Sequence, residues 1–249
     1  MKILISGDGA MGQSVFETAK QMQIEVIGQV GQNLSGSLNS AFCVSDLPNC
    51  VVDFSCCELL ADTVEFCKHN SIPLVTGTTN LNQKTQKSIQ ELALHVAVCQ
   101  SSNFSVGVLI LKRLLDVALG GLKDFDFDIE FTEKHHSKKS DSPSGTAKDL
   151  LAKIVSAKKD ARLIFYRRDG AVRDKNDVGV SCVRGGSVVG IHEIEFFGEG
   201  ESVLLRHTAQ NKSIFASGAL SVAKKLCLLP KGFYGFEYFV KENWQNGTN

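Results

Sequence analysis

Apolar residues come in short unbroken runs through the first hundred positions, at 2–6, 24–28, 51–55, 73–76 and 95–99, with helical spacing between most of them and again at 105–119. Short apolar strands alternating with helices predict a parallel, doubly wound α/β sheet. Beyond residue 105 strands predominate, at 125–132, 162–166, 178–184, 187–197 and 202–209, with one helix near 146–157. In the first of these, Phe125, Phe127, Ile129 and Phe131 alternate with Asp126, Asp128, Glu130 and Thr132. A period-two run of this kind is a half-buried strand, and the region reads as a second α+β domain with an open mixed sheet. From Ile214 to Leu228 helical spacing returns through Phe215, Leu220, Ala223 and Leu226, in a last helix expected to pack back on the first domain. The domains therefore read as 1–105 with 216–249, and 106–215. Residues 166–177 form a charged loop, read as solvated, with closure over a ligand as the alternative.

The first strand runs directly into Gly7-Asp8-Gly9-Ala10-Met11-Gly12 and a helix with Val15, Ala19 and Met22 inward. This is the G-x-G-x-x-G dinucleotide fingerprint in the strand–turn–helix context of a Rossmann-type sheet. Gly7 permits the tight turn, Gly9 lets a pyrophosphate approach the backbone, and Gly12 lets helix and strand pack closely. Two more strand ends carry polar residues suited to a cofactor, Gly77-Thr78-Thr79 and Ser101-Ser102-Asn103-Phe104. After the second strand, Gln29, Val30, Gly31 and Gln32 offer neither a carboxylate for a ribose 2′-hydroxyl nor an arginine for a 2′-phosphate. The choice between NADPH and NADH is therefore not readable.

Composition narrows the class. With 249 residues, 43% of them hydrophobic, the chain fills two domains. Lysine plus arginine and aspartate plus glutamate each number 27, so nothing favours bulk attraction to nucleic acid or anionic lipid. The run Ile3-Leu4-Ile5-Ser6 is too short for a signal peptide, and no apolar stretch approaches a membrane span, so the expected location is the cytosol. The eight cysteines, Cys43, Cys50, Cys56, Cys57, Cys67, Cys99, Cys182 and Cys227, contain no C-x-x-C pair and read as reduced packing residues. No metal site is expected from them. His69 and His95 fall at element ends and read as structural, while His192 and His207 lie in strand-like runs of the second half.

The densest chemistry lies at Glu133-Lys134-His135-His136-Ser137-Lys138-Lys139-Ser140-Asp141-Ser142-Pro143-Ser144-Gly145-Thr146-Ala147. Two imidazoles and three lysines precede a helix-opening turn in which Thr146 and Asp149 match a capping box. The histidines are read as lying on a strand-to-helix loop. Imidazole exchanges protons near neutral pH, lysine supplies donors and charge, and helix-start N–H groups attract carboxylate or phosphate. The stretch reads as a site for an anion that must also receive a proton. Lys138 and Lys139 disfavour the imidazolium of His135, and a bound dianion restores it.

Taken together these residues resemble the dihydrodipicolinate reductase family of the diaminopimelate and lysine pathway. The family signature E-x-H-H-x-x-K-x-D-A-P-S-G-T-A is matched at every fixed position but one, where Ser142 replaces alanine. The likeness extends to Gly7–Gly12, Gly77-Thr78-Thr79, residues 103–108, Arg184-Gly185-Gly186, Gly190-Ile191-His192, Arg206-His207-Thr208-Ala209 and residues 215–219. It implies reduction by NADPH or NADH of a cyclic dicarboxylate, the imine formed when 4-hydroxy-tetrahydrodipicolinate loses water. By resemblance His135 is the acid/base residue, Lys139 the proton donor, and His136, Gly145 and Thr146 the substrate contacts. The cofactor is held by Gly7 to Gly12, Gly77 to Thr79 and Ser101 to Phe104, and the assembly is a homotetramer built through the second domain's sheet. Two departures stand out: Ala10 occupies a position often basic in the family, and Lys212 stands where an arginine is expected.

Two further classes of function compete. One is a Rossmann reductase of another small imine or oxo acid, separable by turnover assays. The other is a nonenzymatic NAD(P)-sensing protein, against which His135 and Lys139 both count. A metal module on His135-His136 and cysteines is disfavoured by the spacing.

Overall fold

The computed structural model describes residues 1–31 and 46–243, so the readings at Gln32 and Cys43 fall outside it. The chain folds into two compact units, Met1–Val106 with Lys212–Asn249, and Gly107–Asn211.

In the first unit the strands are β1 (Lys2–Ser6), β2 (Glu25–Val30), β3 (Cys50–Asp53), β4 (Leu74–Thr76) and β5 (Ala97–Gln100). Helices α1 (Ala10–Gln21), α2 (Cys57–Asn70) and α3 (Gln83–Leu92) intervene. A sixth strand, β11 (Gly232–Tyr234), follows α6 (Ser213–Leu226). The sheet order is β11-β5-β4-β3-β1-β2, and every pairing is parallel. Ile3, Leu4, Ile5, Val51 and Val52 are fully buried, as expected of strands covered on both faces. The chain leaves β1 toward β2 on one side and β3 on the other, so the carboxyl ends of β1 and β3 flank the switch point where doubly wound sheets bind ligands. Helix α6 buries Ala216, Gly218, Ala219, Leu220, Val222, Ala223 and Leu226 within this unit. Gly218 is needed there, because a Cβ would lie 1.9 Å from the Phe104 carbonyl oxygen.

In the second unit, strands β6 (Asp128–His135), β7 (Arg162–Ile164), β8 (Asp177–Arg184), β9 (Gly190–Gly198) and β10 (Glu201–Ala209) form a mixed sheet ordered β10-β9-β6-β8-β7. The β10–β9 and β9–β6 pairs are antiparallel; β6–β8 and β8–β7 are parallel. Helices α4 (Val106–Gly121) and α5 (Gly145–Ala157) supply Leu111, Leu115, Leu119, Leu150 and Ile154 to a core with Ile129, Phe131, Val178, Val180, Ile194 and Phe196.

Several boundaries differ from the sequence reading. The alternating strand begins at Asp128 and ends at His135, three residues further on than the pattern predicts, and Phe125 is 68% exposed outside it. His135 is therefore the last residue of a strand rather than a loop residue. The N-cap of α5 is Ser144 rather than Thr146: its hydroxyl accepts from the Ala147 N–H at 3.2 Å, and Asp149 pairs with Lys112 at 2.7 Å. The charged segment 166–177 is exposed at Tyr166 and Val172 but is pinned by arginines. Arg173 reaches Asp128 at 2.8 Å, Glu130 at 2.9 Å and the Asp177 carbonyl at 2.8 Å. The short β11 and the 3₁₀ helix Phe236–Asn243 carry no marked sequence pattern. No helix among the described residues is long and apolar enough to cross a membrane.

Candidate active site

In the first unit the glycine turn takes the form its residues dictate. Gly7 sits at φ +114°, where a Cβ would lie 2.3 Å from the Phe54 carbonyl oxygen, and a Cβ on Gly12 would lie 2.0 Å from the Gly7 carbonyl oxygen. Only glycine tolerates either position. Gly9 caps α1 with no side-chain bond, so the first N–H groups of the helix, at Ala10, Met11 and Gly12, point toward the turn as at an anion site. A cleft of about 170 Å³ opens here, lined by Gly7, Asp8, Gly9, Phe54, Ser55, Cys56 and Leu59. Asp8 packs its side chain against Gly31, at the end of β2, since a Cβ on Gly31 would lie 2.5 Å from Asp8 Oδ1.

The loops after β3 and β4 are fixed by one buried carboxyl. Asp53 accepts from the Thr76 hydroxyl at 2.7 Å and the Thr78 hydroxyl at 2.6 Å, and from the Ser55 hydroxyl. Burial raises its pKa against the pull of these hydroxyls. Thr78 is thus committed to Asp53 and buried, Gly77 lies against the Phe54 ring, and Thr79 is exposed. After β5, Ser101 and Asn103 bond each other and the Asn103 side chain accepts from the Ser105 N–H at 2.8 Å, while Ser102 is exposed. Phe104 is 1% exposed, edge-on to Phe54 and Phe236. The Phe104 ring fills the core, so at this position a ligand would meet the main chain. Sequence reasoning missed Asp53, whose position at the end of an apolar strand was the available signal.

In the second unit the inward face of β6 continues past Ile129 and Phe131 into Glu133 and His135, and all four are buried. The β6–β9 ladder sets Glu133 opposite His192, the β6–β8 ladder sets His135 opposite Arg184, and His207 lies opposite His192 on β10. Arg184 Nη2 donates to Glu133 Oε1 at 2.7 Å and to the Asp141 carbonyl at 2.8 Å. The Ser144 N–H donates to the Glu133 carboxylate at 3.1 Å, and Ser144 Oγ lies 3.2 Å from His192 Nε2. Burial opposes the charge of Glu133, but the Ser144 and Arg184 hydrogen bonds outweigh it and hold its pKa below the usual range. His135 Nδ1 and His192 Nε2 approach Glu133 Oε2 at 3.5 and 3.7 Å, and the two rings meet edge-on at 5.2 Å.

Burial is also the first cause lowering the His135 pKa; Glu133 opposes it, and Lys139 and Arg184 add to it. Lys139 therefore acts as read from the sequence, whereas the second cation is Arg184 and not the exposed Lys138. His192 is driven to about 4, chiefly by burial. Lys139 is held by Asp141 at 2.7 Å, and the main chain of the loop is tied to β8 by the Gly185 N–H to the His135 carbonyl at 2.9 Å. His136 is half-buried beside His135, and Gly145 and Thr146 form the first positions of α5, ahead of its first internal bond from Lys148 N–H to the Ser144 carbonyl. The structure thus brings His135, Lys139 and the α5 start into one unit, and adds Glu133, Arg184, Ser144 and His192. Ligating atoms of Glu133, His135 and His192 lie within 4.8 Å of one another, yet the Arg184 guanidinium already occupies the carboxylate and opposes a cation. Every cysteine among the described residues is free.

A dinucleotide turn in one unit and a proton-exchanging cluster in the other are the two requirements of a nicotinamide-dependent oxidoreductase, and fold and site together assign the chain to that class. Within it the chain belongs to the dihydrodipicolinate reductase family: residues 1–104 match "Dihydrodipicolinate reductase, N-terminus" and residues 107–240 match "Dihydrodipicolinate reductase, C-terminus". It is 37% identical over 242 residues to the 4-hydroxy-tetrahydrodipicolinate reductase of Staphylococcus aureus strain MRSA252, covering 95% of this chain and 99% of that one. The reductase of Staphylococcus carnosus strain TM300 is likewise 37% identical, with 95% and 98% covered. Among solved structures, the dipicolinate-bound dihydrodipicolinate reductase from Paenisporosarcina sp. TG-14 shares the fold with a TM-score of 0.72 at 21% identity, covering 94% of this chain and 97% of that one.

Proposed function

We propose that the chain reduces 4-hydroxy-tetrahydrodipicolinate, by way of dihydrodipicolinate, to tetrahydrodipicolinate in diaminopimelate and lysine biosynthesis, in the cytosol. The observation that carries the proton chemistry is the buried Glu133–His135 pair beside Lys139 and the α5 start. The bound nicotinamide supplies hydride, and the conjugated imine takes up that hydride and one proton. Residues 1–105 with 216–249 serve the cofactor, through Gly7 to Gly12, Gly77 to Thr79 and Ser101 to Phe104. The glycine cradle fits a pyrophosphate, since Gly7 and Gly12 are held to glycine by the backbone they touch, while the space in front of Gly9 is open, with nothing within 4 Å of a Cβ placed there.

Residues 106–215 serve the substrate. The N–H groups of Gly145 and Thr146, at the positive end of α5, take one carboxylate. His136 takes the other, while His135 and Lys139 hold the proton that the reduced ring requires. A positioned acid of this kind contributes roughly two to four decades, or about 3–5 kcal/mol. The dianion raises the pKa of His135 as it binds, so that the acid is charged only with substrate in place.

The cofactor held in the glycine cradle would be NADH or NADPH, either of which could supply the hydride. The Asp8 carboxylate against Gly31 sits at the end of β2, where a 2′-phosphate would meet its charge, which favours NADH. The sheet face opposite α4 and α5 exposes Val183, Phe197 and Leu204 beside the Lys134–Glu193–Arg206 ion pairs, and this face builds a homotetramer. Steady-state oxidation of NADH and, separately, NADPH with freshly generated substrate tests the reading. Turnover with this dicarboxylate, and none with other small oxo acids, is expected; the reverse selectivity overturns it.

A further inference from the structure

Glu133 is the most completely enclosed charge of the second unit, with 0% of its side chain exposed, and the family reading of the site leaves it without a task. Its surroundings are specific. Arg184 Nη2 donates to Oε1 at 2.7 Å, and the Ser144 N–H reaches Oε1 at 3.1 Å and Oε2 at 3.3 Å. His135 Nδ1 approaches from its own strand at 3.5 Å. That spacing is long for a hydrogen bond, and such contacts between catalytic groups commonly tighten when substrate binds. On the far side of the same ring, Nε2 faces Gly190, where a Cβ would lie 3.2 Å away and a glycine leaves the nitrogen uncovered.

We propose that Glu133 is the positioning residue of the reduction: it holds the Nδ1 side of His135, fixes that nitrogen as the protonated one in the neutral ring, and leaves Nε2 as the atom that exchanges a proton with substrate. Gly190 keeps the space in front of Nε2 open. Arg184 and Ser144 hold Glu133 ionised, and His192, bonded to Ser144 Oγ, closes the back of the cluster. The arrangement is that of a carboxylate orienting an imidazole whose other nitrogen does the chemistry. The inference rests on the proposed acid role of His135 and deepens it.

The charged and titratable groups facing His135 are Glu133 on β6, Arg184 on β8, His192 on β9, and Lys139 and Asp141 on the following loop. Among these, Glu133 and Asp141 favour the imidazolium and Lys139 and Arg184 oppose it. Glu133→Gln keeps the shape and removes the charge, so it lowers the pKa of His135 and moves the alkaline limb of kcat to lower pH.

The experiment compares wild type, Glu133→Gln, Glu133→Asp and His135→Gln, reading kcat against pH and cofactor Kd. Expected for Glu133→Gln is a kcat about tenfold or more below wild type near neutral pH, an alkaline limb displaced to lower pH, and an unchanged cofactor Kd, with partial recovery in Glu133→Asp. A kcat and limb equal to wild type in Glu133→Gln, with His135→Gln impaired, overturns the positioning role and leaves the acid role standing. Full activity in His135→Gln overturns both. Where Glu133→Gln does not fold, the ring ¹⁵N signals of His135 in the wild-type protein decide. Protonated Nδ1 in the neutral ring supports the proposal, and protonated Nε2 overturns it.

Discussion

Among the described residues each unit buries one carboxyl group completely, Asp53 in the first and Glu133 in the second, and the two are surrounded by different chemistry. Asp53 is met by the hydroxyls of Ser55, Thr76 and Thr78, and burial raises its pKa. Glu133 is met by a guanidinium and a backbone N–H, and these hold its pKa down. Donated hydroxyls favour the ionised carboxyl less than a guanidinium does, and here they lock the loops after β3 and β4 into one shape. A guanidinium stabilises only the charged form and so maintains a fixed negative field beside His135. In the proposed reaction the first unit would use its acid to shape a cofactor loop, and the second would use its acid to govern a proton.

The largest contrast should come from the residues proposed to carry the proton. His135→Gln or Lys139→Ala is expected to lower kcat by roughly two decades or more while cofactor binding survives, as read by titration of bound cofactor. Unchanged turnover in both would remove the second unit from the chemistry.

Next comes removal of each carboxyl's partner. Arg184→Met leaves the fully buried Glu133 without its cation and is expected to cost about 3–5 kcal/mol in thermal or denaturant unfolding. Asp53→Asn keeps an acceptor among hydroxyls that can both donate and accept, so about 1–2 kcal/mol is expected, with the loss appearing in cofactor KM rather than kcat. Equal costs for the two would erase the distinction between a shaped and a charged site.

A smaller effect separates them by pH. The folded pKa of His192, about 4, lies below its ordinary 6.5, so the unfolded chain takes up the proton first as pH falls. The stability it contributes is complete above pH 6.5 and declines toward pH 4, by about 2 kcal/mol at pH 5. Glu133, with its folded pKa lowered, adds to that loss once pH drops below the ordinary carboxylate range, whereas Asp53, with its pKa raised, gains stability as pH falls through its folded value. Melting curves between pH 7 and 5 are expected to show a slope that flattens in His192→Gln, and an unaltered slope would contradict the assignment.

The first unit was legible because its signals are local. A glycine at φ +114° and another under a helix leave their mark within six residues, and apolar runs announce buried parallel strands. In the second unit the residues brought together within one segment, His135, Lys139 and the start of α5, were legible, and those that three strands bring together were not. Glu133 and His192 are neighbours only across the β6–β9 ladder, and Arg184 joins them from β8. Their common signal was the period-two pattern itself. Carried two steps past Phe131 it puts Glu133 and His135 on the buried face, and carried back from Phe196 and Ile194 it puts His192 there. A strand-end aromatic such as Phe104 looks the same in sequence whether its ring lines a cleft or fills a core. The β11 strand escaped because three residues hold no period.

The most direct test of a substrate-armed acid is the pH dependence of kcat and of kcat/KM measured on the same wild-type protein, since kcat/KM reports the free enzyme and kcat the complex. Burial, Lys139 and Arg184 lower the His135 pKa in the free protein, and a bound dicarboxylate raises it. The alkaline limb of kcat is therefore expected at higher pH than that of kcat/KM. Coincident limbs, or a kcat that does not fall with rising pH, would contradict it.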